Sequence, residues 1–277
     1  MPVTQVSPQV ALTIAGSDPS GGAGIQADIK TFTAVGVYCG AVISSLTVQN
    51  TLGVIGVQPV EPAFVKDQIA CVLGDLDVSH IKIGMLGSAA VARSVCDALA
   101  DFSGEIICDP VLVSSSGQQL IDAEGFDAVR IQVLELCTVL TPNIPELSLL
   151  TEKNCTNKDA LLAAAEALLH QHEKLRSVII TGGHFKPEEK TITDYLFTAS
   201  GSTRQISSIK SSHPRITSSN THGTGCTFSA AFTAYHLMTG DDTEAFYKAT
   251  GYIDTLIQKS APVRIGHGTG PLIHHLR

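Results

Sequence analysis

Two glycine-rich segments hold the residue types that could do chemistry in this 277-residue chain. The first reads Gly16-Ser17-Asp18-Pro19-Ser20-Gly21-Gly22-Ala23-Gly24. It follows the apolar run Val10–Ala15 and opens a helical pattern. Its glycines would let backbone approach a ligand without a Cβ in the way, and a helix start offers N–H groups with no partner in the helix. The phosphate loop G-x-x-x-x-G-K-[ST] fails here, because Gly22 stands where Lys is required after Gly16 and Gly21. The dinucleotide pattern fits Gly22, Gly24 and Ala27. An acidic ribose partner belongs about 20 residues on, and that region reads Ser44-Ser45-Leu46-Thr47-Val48-Gln49-Asn50. A tight strand-to-helix turn is the plain alternative, although four glycines in nine residues exceed what a turn needs.

The second segment, Thr221-His222-Gly223-Thr224-Gly225-Cys226-Thr227, opens another helical run. Gly-Thr-Gly at a helix start aims successive backbone N–H groups and the helix dipole at developing negative charge, which is an anion hole. Cys226 falls in the first turn, where the same field is expected to lower a thiol pKa. The alternative is a small buried hydrophobe, the reading given to Cys39, Cys71, Cys96, Cys108, Cys137 and Cys155. No two cysteines form a CxxC pair, so neither a zinc ribbon nor a thioredoxin motif is present.

Alternating elements must position these segments. Apolar or β-branched runs at Val10–Ala15, Ala41–Val48, His80–Met85, Glu105–Cys108, Cys137–Leu140 and Ser177–Thr181 read as strands. Ile25–Val35, Glu61–Leu73, Ser88–Asp101, Asp122–Leu136, Asn157–His172, Gly223–Met238 and Thr243–Lys259 read as helices, and Asn143 and Glu146 lie one turn apart at the start of a short one. Thr191–Phe197 and Thr203–Ile209 read as a hairpin. The pattern predicts one α/β domain over residues 1–277, with a mostly parallel sheet and ligands at the carboxyl ends of its strands.

Composition narrows the function. Hydrophobic residues are 44% and charged residues 16%, which supplies a core and excludes disorder. With 18 basic and 26 acidic residues the net charge is −8, which argues against a general nucleic-acid binder but leaves room for a small anionic ligand. Aromatics are 5% and Trp is absent, so a stacking platform for single strands is not expected. The first ten residues have no signal-peptide pattern, and no stretch approaches the ~20 apolar residues of a membrane span. A soluble, reduced, cytoplasmic protein is the expectation.

The chain resembles the ribokinase-like superfamily, specifically the hydroxymethylpyrimidine and phosphomethylpyrimidine kinases of thiamine biosynthesis. The resemblance is carried by LTIAGSDPSGGAGIQADIKTF from residue 12, TVQNT (47–51), KIGML (82–86), CDPVLVSSSG (108–117), TPNIPE (141–146), TGGH (181–184), DYLF (194–197), THGTGCTFSAA (221–231) and GHGTGP (266–271). It implies a central mostly parallel β-sheet flanked by helices on both faces, and a homodimer. It also implies ATP- and Mg²⁺-dependent phosphorylation of 4-amino-5-hydroxymethyl-2-methylpyrimidine, and then of its monophosphate to the pyrophosphate.

By the same resemblance, pyrimidine contacts fall on Gly16, Ala23, Asp28, Gln49, Met85, Val111 and Leu112. Gln49 and Asp28 suit the ring nitrogens and exocyclic amine. A solvated helix residue is the plain alternative for Asp28, and core packing is that for Met85. The anion hole falls on Gly223, Thr224, Gly225 and Cys226. Sugar kinases of the superfamily carry an Asp base at the last position, so Cys226 would act more by position than by proton transfer. Mg²⁺ and phosphate organisation falls on Asp109, Asn143 and Glu146, with helix capping as the alternative for Glu146. ATP contacts fall on Asn143, Thr181 and Lys248, the last being equally readable as a solvated helix lysine. Many family members have Lys where this chain has Thr181, so triphosphate binding would lean on Mg²⁺ and backbone amides. His184 and His222 read as structural, and the tail with His274-His275 as surface packing without a metal site.

Three other readings stand beside this one. Pyridoxal kinase shares the fold and the anion hole. A cysteine hydrolase built on Cys226 and His222 would leave Asp109, Asn143 and Glu146 unused. A kinase-like fold that only binds a ligand would form no ADP.

Overall fold

The computed structural model describes residues 8–113, 120–184 and 189–275; Ser114–Gly117 of the quoted 108–117 segment lie outside them. Elements alternate as the apolar runs require: β1 (Val10–Ser17), α1 (Gly24–Val35), β2 (Tyr38–Asn50), β3 (Gly53–Pro59), α2 (Pro62–Leu73), β4 (Val78–Ile83), α3 (Ala89–Leu99), β5 (Glu105–Cys108), α4 (Ala123–Ala128), β6 (Val139–Leu140), α5 (Ile144–Thr151), α6 (Lys158–Gln171), β7 (Ser177–Ile180), β8 (Thr191–Ser200), β9 (Gln205–Pro214), α7 (Thr224–Thr239) and α8 (Asp242–Ser260). Helix starts carry side-chain caps where the sequence supplies them: Ser88 accepts from the Val91 N–H, Asn157 from Ala160 and Asp241 from Glu244. α2 instead begins on Pro62, which needs no N–H there.

One nine-stranded sheet runs β3-β2-β1-β4-β5-β6-β7-β8-β9. The pairs from β2 through β7 are parallel, while β3, β8 and β9 join antiparallel. Successive residues of the central strands feed opposite faces, as the two-residue period demands. Leu12, Ile14, Ile106, Cys108, Val178 and Ile180 enter the core shared with α2 to α6. Ala11, Ile107 and Ile179 face the other way, toward apolar clusters containing Phe32, Phe228, Phe232 and Phe246 of α1, α7 and α8. Both faces are therefore covered, which accounts for the continuous apolar runs of these strands.

Two elements differ from the sequence reading. β3 was not anticipated, because Gly53-Val54-Ile55-Gly56-Val57-Gln58-Pro59 mixes glycine and proline into a short run; it holds as an edge strand through antiparallel pairing with β2. The helix expected over 122–136 is broken. α4 is six residues long and passes into a π-helical turn at Val129–Val133. Among the described residues, no helix is long and apolar enough to cross a membrane.

Candidate active site

Strand order reverses at β1, whose neighbours are β2 on one side and β4 on the other. A crevice opens at such a point beyond the carboxyl ends of the strands, and the first glycine-rich loop leaves β1 there. Asp18 organises it. Oδ1 accepts from the Ser20 N–H and hydroxyl at 2.8 and 2.7 Å, and Oδ2 from the N–H groups of Gly22 and Ala23 at 3.1 and 2.9 Å. His222 Nε2 reaches the same Oδ2 at 2.8 Å. Burial alone would raise the Asp18 pKa, but the bonds from His222 and Ser20 outweigh it and hold it at about 2.

The two glycine-rich segments press on each other. A Cβ on Gly223, whose φ is +79°, would lie 1.8 Å from the Gly22 carbonyl oxygen; one on Gly22 would lie 2.3 Å from the His222 ring. Much of the glycine content is therefore explained by loop-on-loop packing, with ligand approach as a further consequence. No side chain caps the N-terminus of α7, and its first turn holds no acidic residue. Thr224 is half-buried and Gly225 exposed, so this N-terminus is open to an anion.

Beneath it lies a buried charge cluster. Lys82 and Asp28 have side-chain exposures of 0%, and Lys82 Nζ sits 3.1 Å from both Asp28 oxygens and 3.8 Å from Asp109 Oδ2. The Thr13 hydroxyl donates to Asp28 Oδ2 at 2.6 Å. Desolvation opposes the ammonium, but Asp28 and Asp109 outweigh it and hold Lys82 charged. Lys82 was missed in the sequence. Its signal was a lysine inside the buried strand pattern of His80–Met85, where only a paired charge is tolerated. Asp28 corrects its own expectation: it is neither solvated nor facing a ligand edge, because its carboxylate is consumed below the loop by Lys82 and Thr13.

Cys226 also requires correction. Cys226 is half-buried, and desolvation of its thiol, with the carboxylates of Asp109 and Asp28, pushes the pKa up to about 12 despite Lys82 and the Gly24 N–H. The helix-terminus field does not win, and the thiol stays protonated at neutral pH. Asp109 is raised to about 6, first by burial and then by Asp28, with Lys82 and a hydrogen bond from Cys226 pulling it back.

Asn143 and Glu146 form a reciprocal capping box at the start of α5. Asn143 Oδ1 accepts from the Glu146 N–H, and Glu146 Oε2 accepts from the Asn143 N–H, both at 2.9 Å. The capping reading is thus correct in geometry, and it leaves the carboxylate a second oxygen. Burial, followed by the charge of Asp109, pushes the Glu146 pKa up to about 8, so the two carboxylates are close enough to oppose each other's ionisation. Asp109 Oδ2 is buried with no hydrogen-bond partner. Among the described residues no group of three or more His, Cys, Asp or Glu could hold a metal. Two carboxylates with an unspent oxygen do fit Mg²⁺, which keeps most of its shell for water and phosphate.

The remaining candidates divide. Met85 joins Val54 and Val57 of β3 with Leu120 and Val111 in a small apolar cluster, and a Cβ on Gly16 would lie 3.3 Å from its sulfur. Gln49 stands 3.3 Å from His222. Ala23 is half-buried at the start of α1. Leu112 instead belongs to the main core. Thr181 is half-buried beside Asn143 at the end of β7. Lys248 is exposed, 2.7 Å from Glu244 and over the Tyr235 ring, which matches the solvated-helix alternative.

A mostly parallel sheet with helices on both faces, a glycine-rich loop at the switch point of the strand order and an uncapped helix N-terminus over paired carboxylates define a ribokinase-like phosphotransferase. The family model described as phosphomethylpyrimidine kinase matches residues 18–273, and this chain belongs to that family. It is 40% identical over 266 residues to the hydroxymethylpyrimidine/phosphomethylpyrimidine kinase of Haemophilus influenzae, covering 95% of each chain. It is also 40% identical over 267 residues to the thiamine biosynthesis bifunctional protein ThiED of Geobacter sulfurreducens, covering 96% of this chain and 52% of that longer one. Among solved structures, an ADP complex of Bacillus subtilis pyridoxal kinase superposes with a TM-score of 0.83 at 31% identity, covering 97% of this chain and 98% of that one.

Proposed function

We propose that this chain transfers the γ-phosphoryl group of ATP to the hydroxymethyl oxygen of 4-amino-5-hydroxymethyl-2-methylpyrimidine, and then to the resulting monophosphate. The observation that supports it best is the convergence of the uncapped α7 N-terminus, the Cys226 thiol and the Asp109 carboxylate beside the switch-point loop. The attacking oxygen bonds to the γ-phosphorus as the bond to ADP breaks, and the hydroxyl proton leaves to solvent. Backbone N–H groups of Gly225 and Cys226 meet the charge on the transferring group, with the Thr224 N–H donating to the Thr221 carbonyl and fixing the turn. Cys226, being protonated, acts by position and as a hydrogen-bond donor; a loose phosphoryl transition state asks little of a base. Asp109 and Glu146 would hold Mg²⁺, which neutralises phosphate charge when bound.

Gly16, Ala23, Gln49, Met85 and Val111 would receive the pyrimidine, and Thr181 and Asn143 the nucleotide. In this reading residues 1–277 form one catalytic domain, acting as a homodimer in the cytoplasm. Pyridoxal is the second candidate substrate, favoured by the likeness to the Bacillus subtilis pyridoxal kinase. ADP release measured with the pyrimidine alcohol and with pyridoxal separates the two, and mass spectrometry of the product counts the phosphates added. A higher kcat/KM for pyridoxal would overturn the pyrimidine assignment, and turnover without ATP would overturn the kinase reading itself.

A further inference from the structure

The Thr181-Gly182-Gly183 turn is held from behind by charged side chains that no step above uses. Gly182 lies flat against β8: a Cβ there would sit 2.2 Å from the Thr193 carbonyl oxygen. Its N–H donates to Asp194 Oδ1 at 2.7 Å in a buried bond. The other oxygen of Asp194 is 3.2 Å from His213 Nε2, and His213 Nδ1 is 2.7 Å from Asp254 Oδ1 on α8. His213 thus bridges β8 and α8 from its place on β9. Its chain neighbours Ser212 and Pro214 and its cross-strand partner Ile192 carry no charge, so the two carboxylates are the titratable groups set against it. Burial would lower the His213 pKa, but Asp194 and Asp254 prevail and push it up to about 9. Two residues on, Arg215 donates to the carbonyl oxygens of Gly183 and Glu189 at 3.0 and 2.9 Å, gripping the same turn by its acceptors.

We propose that Asp194 and His213 are positioning residues for nucleotide binding, fixing the Thr181–Gly183 turn from behind; this rests on the kinase reading. A buried ion pair is a poor source of net stability, whereas one ending on a backbone N–H fixes the orientation of a peptide. Orientation matters more here because Thr181 brings no ammonium to a triphosphate. The Asp194 carboxylate would repel that triphosphate, and the adjacent imidazolium, shared with Asp254, offsets part of that charge.

The test uses His213→Gln and Asp194→Asn in the full chain. We expect KM for ATP to rise about tenfold, while KM for the pyrimidine alcohol stays level and kcat at saturating ATP changes little. KM for ATP of the unmutated protein should be flat at neutral pH and climb as His213 loses its proton near pH 9; in His213→Gln it should be high throughout, without that climb. Parallel rises in both KM values, a loss of kcat alone, or an alkaline climb that survives in His213→Gln would overturn the proposal. Should those variants fail to fold, Asp254→Asn keeps the Asp194–Gly182 bond but removes one carboxylate supporting the imidazolium, so the climb should begin at lower pH; an unmoved climb overturns the proposal. Calorimetry with ATP in the absence of pyrimidine separates the two claims. Equal affinity in His213→Gln defeats the positioning role alone. Tighter binding by the unmutated chain, without pyrimidine phosphorylation, defeats the substrate assignment alone, and no ATP binding by the unmutated chain defeats both.

Discussion

Replacing Lys82 by Met removes an ammonium that is 0% exposed and lies 3.1 Å from both oxygens of an equally buried Asp28. Removing one partner of a buried pair leaves an uncompensated charge and costs about 3–5 kcal/mol. For a chain of this size, that corresponds to a fall in Tm of roughly 10 °C. The double variant Lys82→Met/Asp28→Leu removes both charges and should recover most of the loss, because apolar replacement of a whole pair is close to neutral. Urea denaturation of the three proteins reads this directly. The pH dependence has a definite sign. Burial raises the Asp28 pKa, and Lys82 and Thr13 oppose that rise. With the ammonium gone the folded-state pKa climbs further above its unfolded value, so the folded form is favoured while Asp28 is protonated and disfavoured as it ionises. The deficit of Lys82→Met is therefore largest in alkali and shrinks on acidification. A deficit below about 1 kcal/mol at alkaline pH, the value of an exposed pair, or one that grows in acid, would refute the assignment of Lys82 as the buried counter-charge.

Two further outcomes follow from the same geometry. With its thiol half-buried and its pKa pushed up to about 12, Cys226 should be alkylated by iodoacetamide at mildly alkaline pH far more slowly than the exposed Cys71, as peptide mass mapping would read; faster labelling of Cys226 would contradict the raised pKa. Gly223→Ala drives a Cβ to 1.8 Å from the Gly22 carbonyl at a φ of +79°, whereas a Cβ on Gly251 of α8 meets nothing within 4 Å. Thermal melts and ADP release should show a large loss for Gly223→Ala, of about 1–3 kcal/mol in stability, and little for Gly251→Ala; equal effects would contradict the loop contact.

The elements were legible where burial imposes periodicity. β5, with Ile106 and Cys108 to one core and Ile107 to the other, falls where its apolar run predicted. β3 was not legible, since an edge strand with two glycines and a terminal proline depends on its partner for definition. The break at Val129–Val133 was equally invisible, because a π-helical turn keeps an apolar helical pattern. In the site, the backbone devices could be read from Gly-Thr-Gly and from the Asn143/Glu146 spacing. What escaped was the balance of competing fields. A helix N-terminus argues for a lowered Cys226 pKa, but desolvation and two carboxylates from distant strands and helices overrule it, and no local spacing reveals them. Asp28 reads in the sequence as a contact to the pyrimidine edge, with a solvated helix residue as the alternative, and neither reading shows Lys82, 54 positions away, which claims its carboxylate.

The bond between Asp18 and His222 joins residues 204 positions apart. During synthesis the first loop therefore emerges without the group that closes it. β1, β2 and β4 have all left the ribosome long before the imidazole arrives, and α7 cannot seat its N-terminus until Gly223 meets Gly22. The crevice is consequently one of the last parts to assemble, so an interrupted chain that stops short of residue 222 would carry most of the sheet and none of the closed pocket.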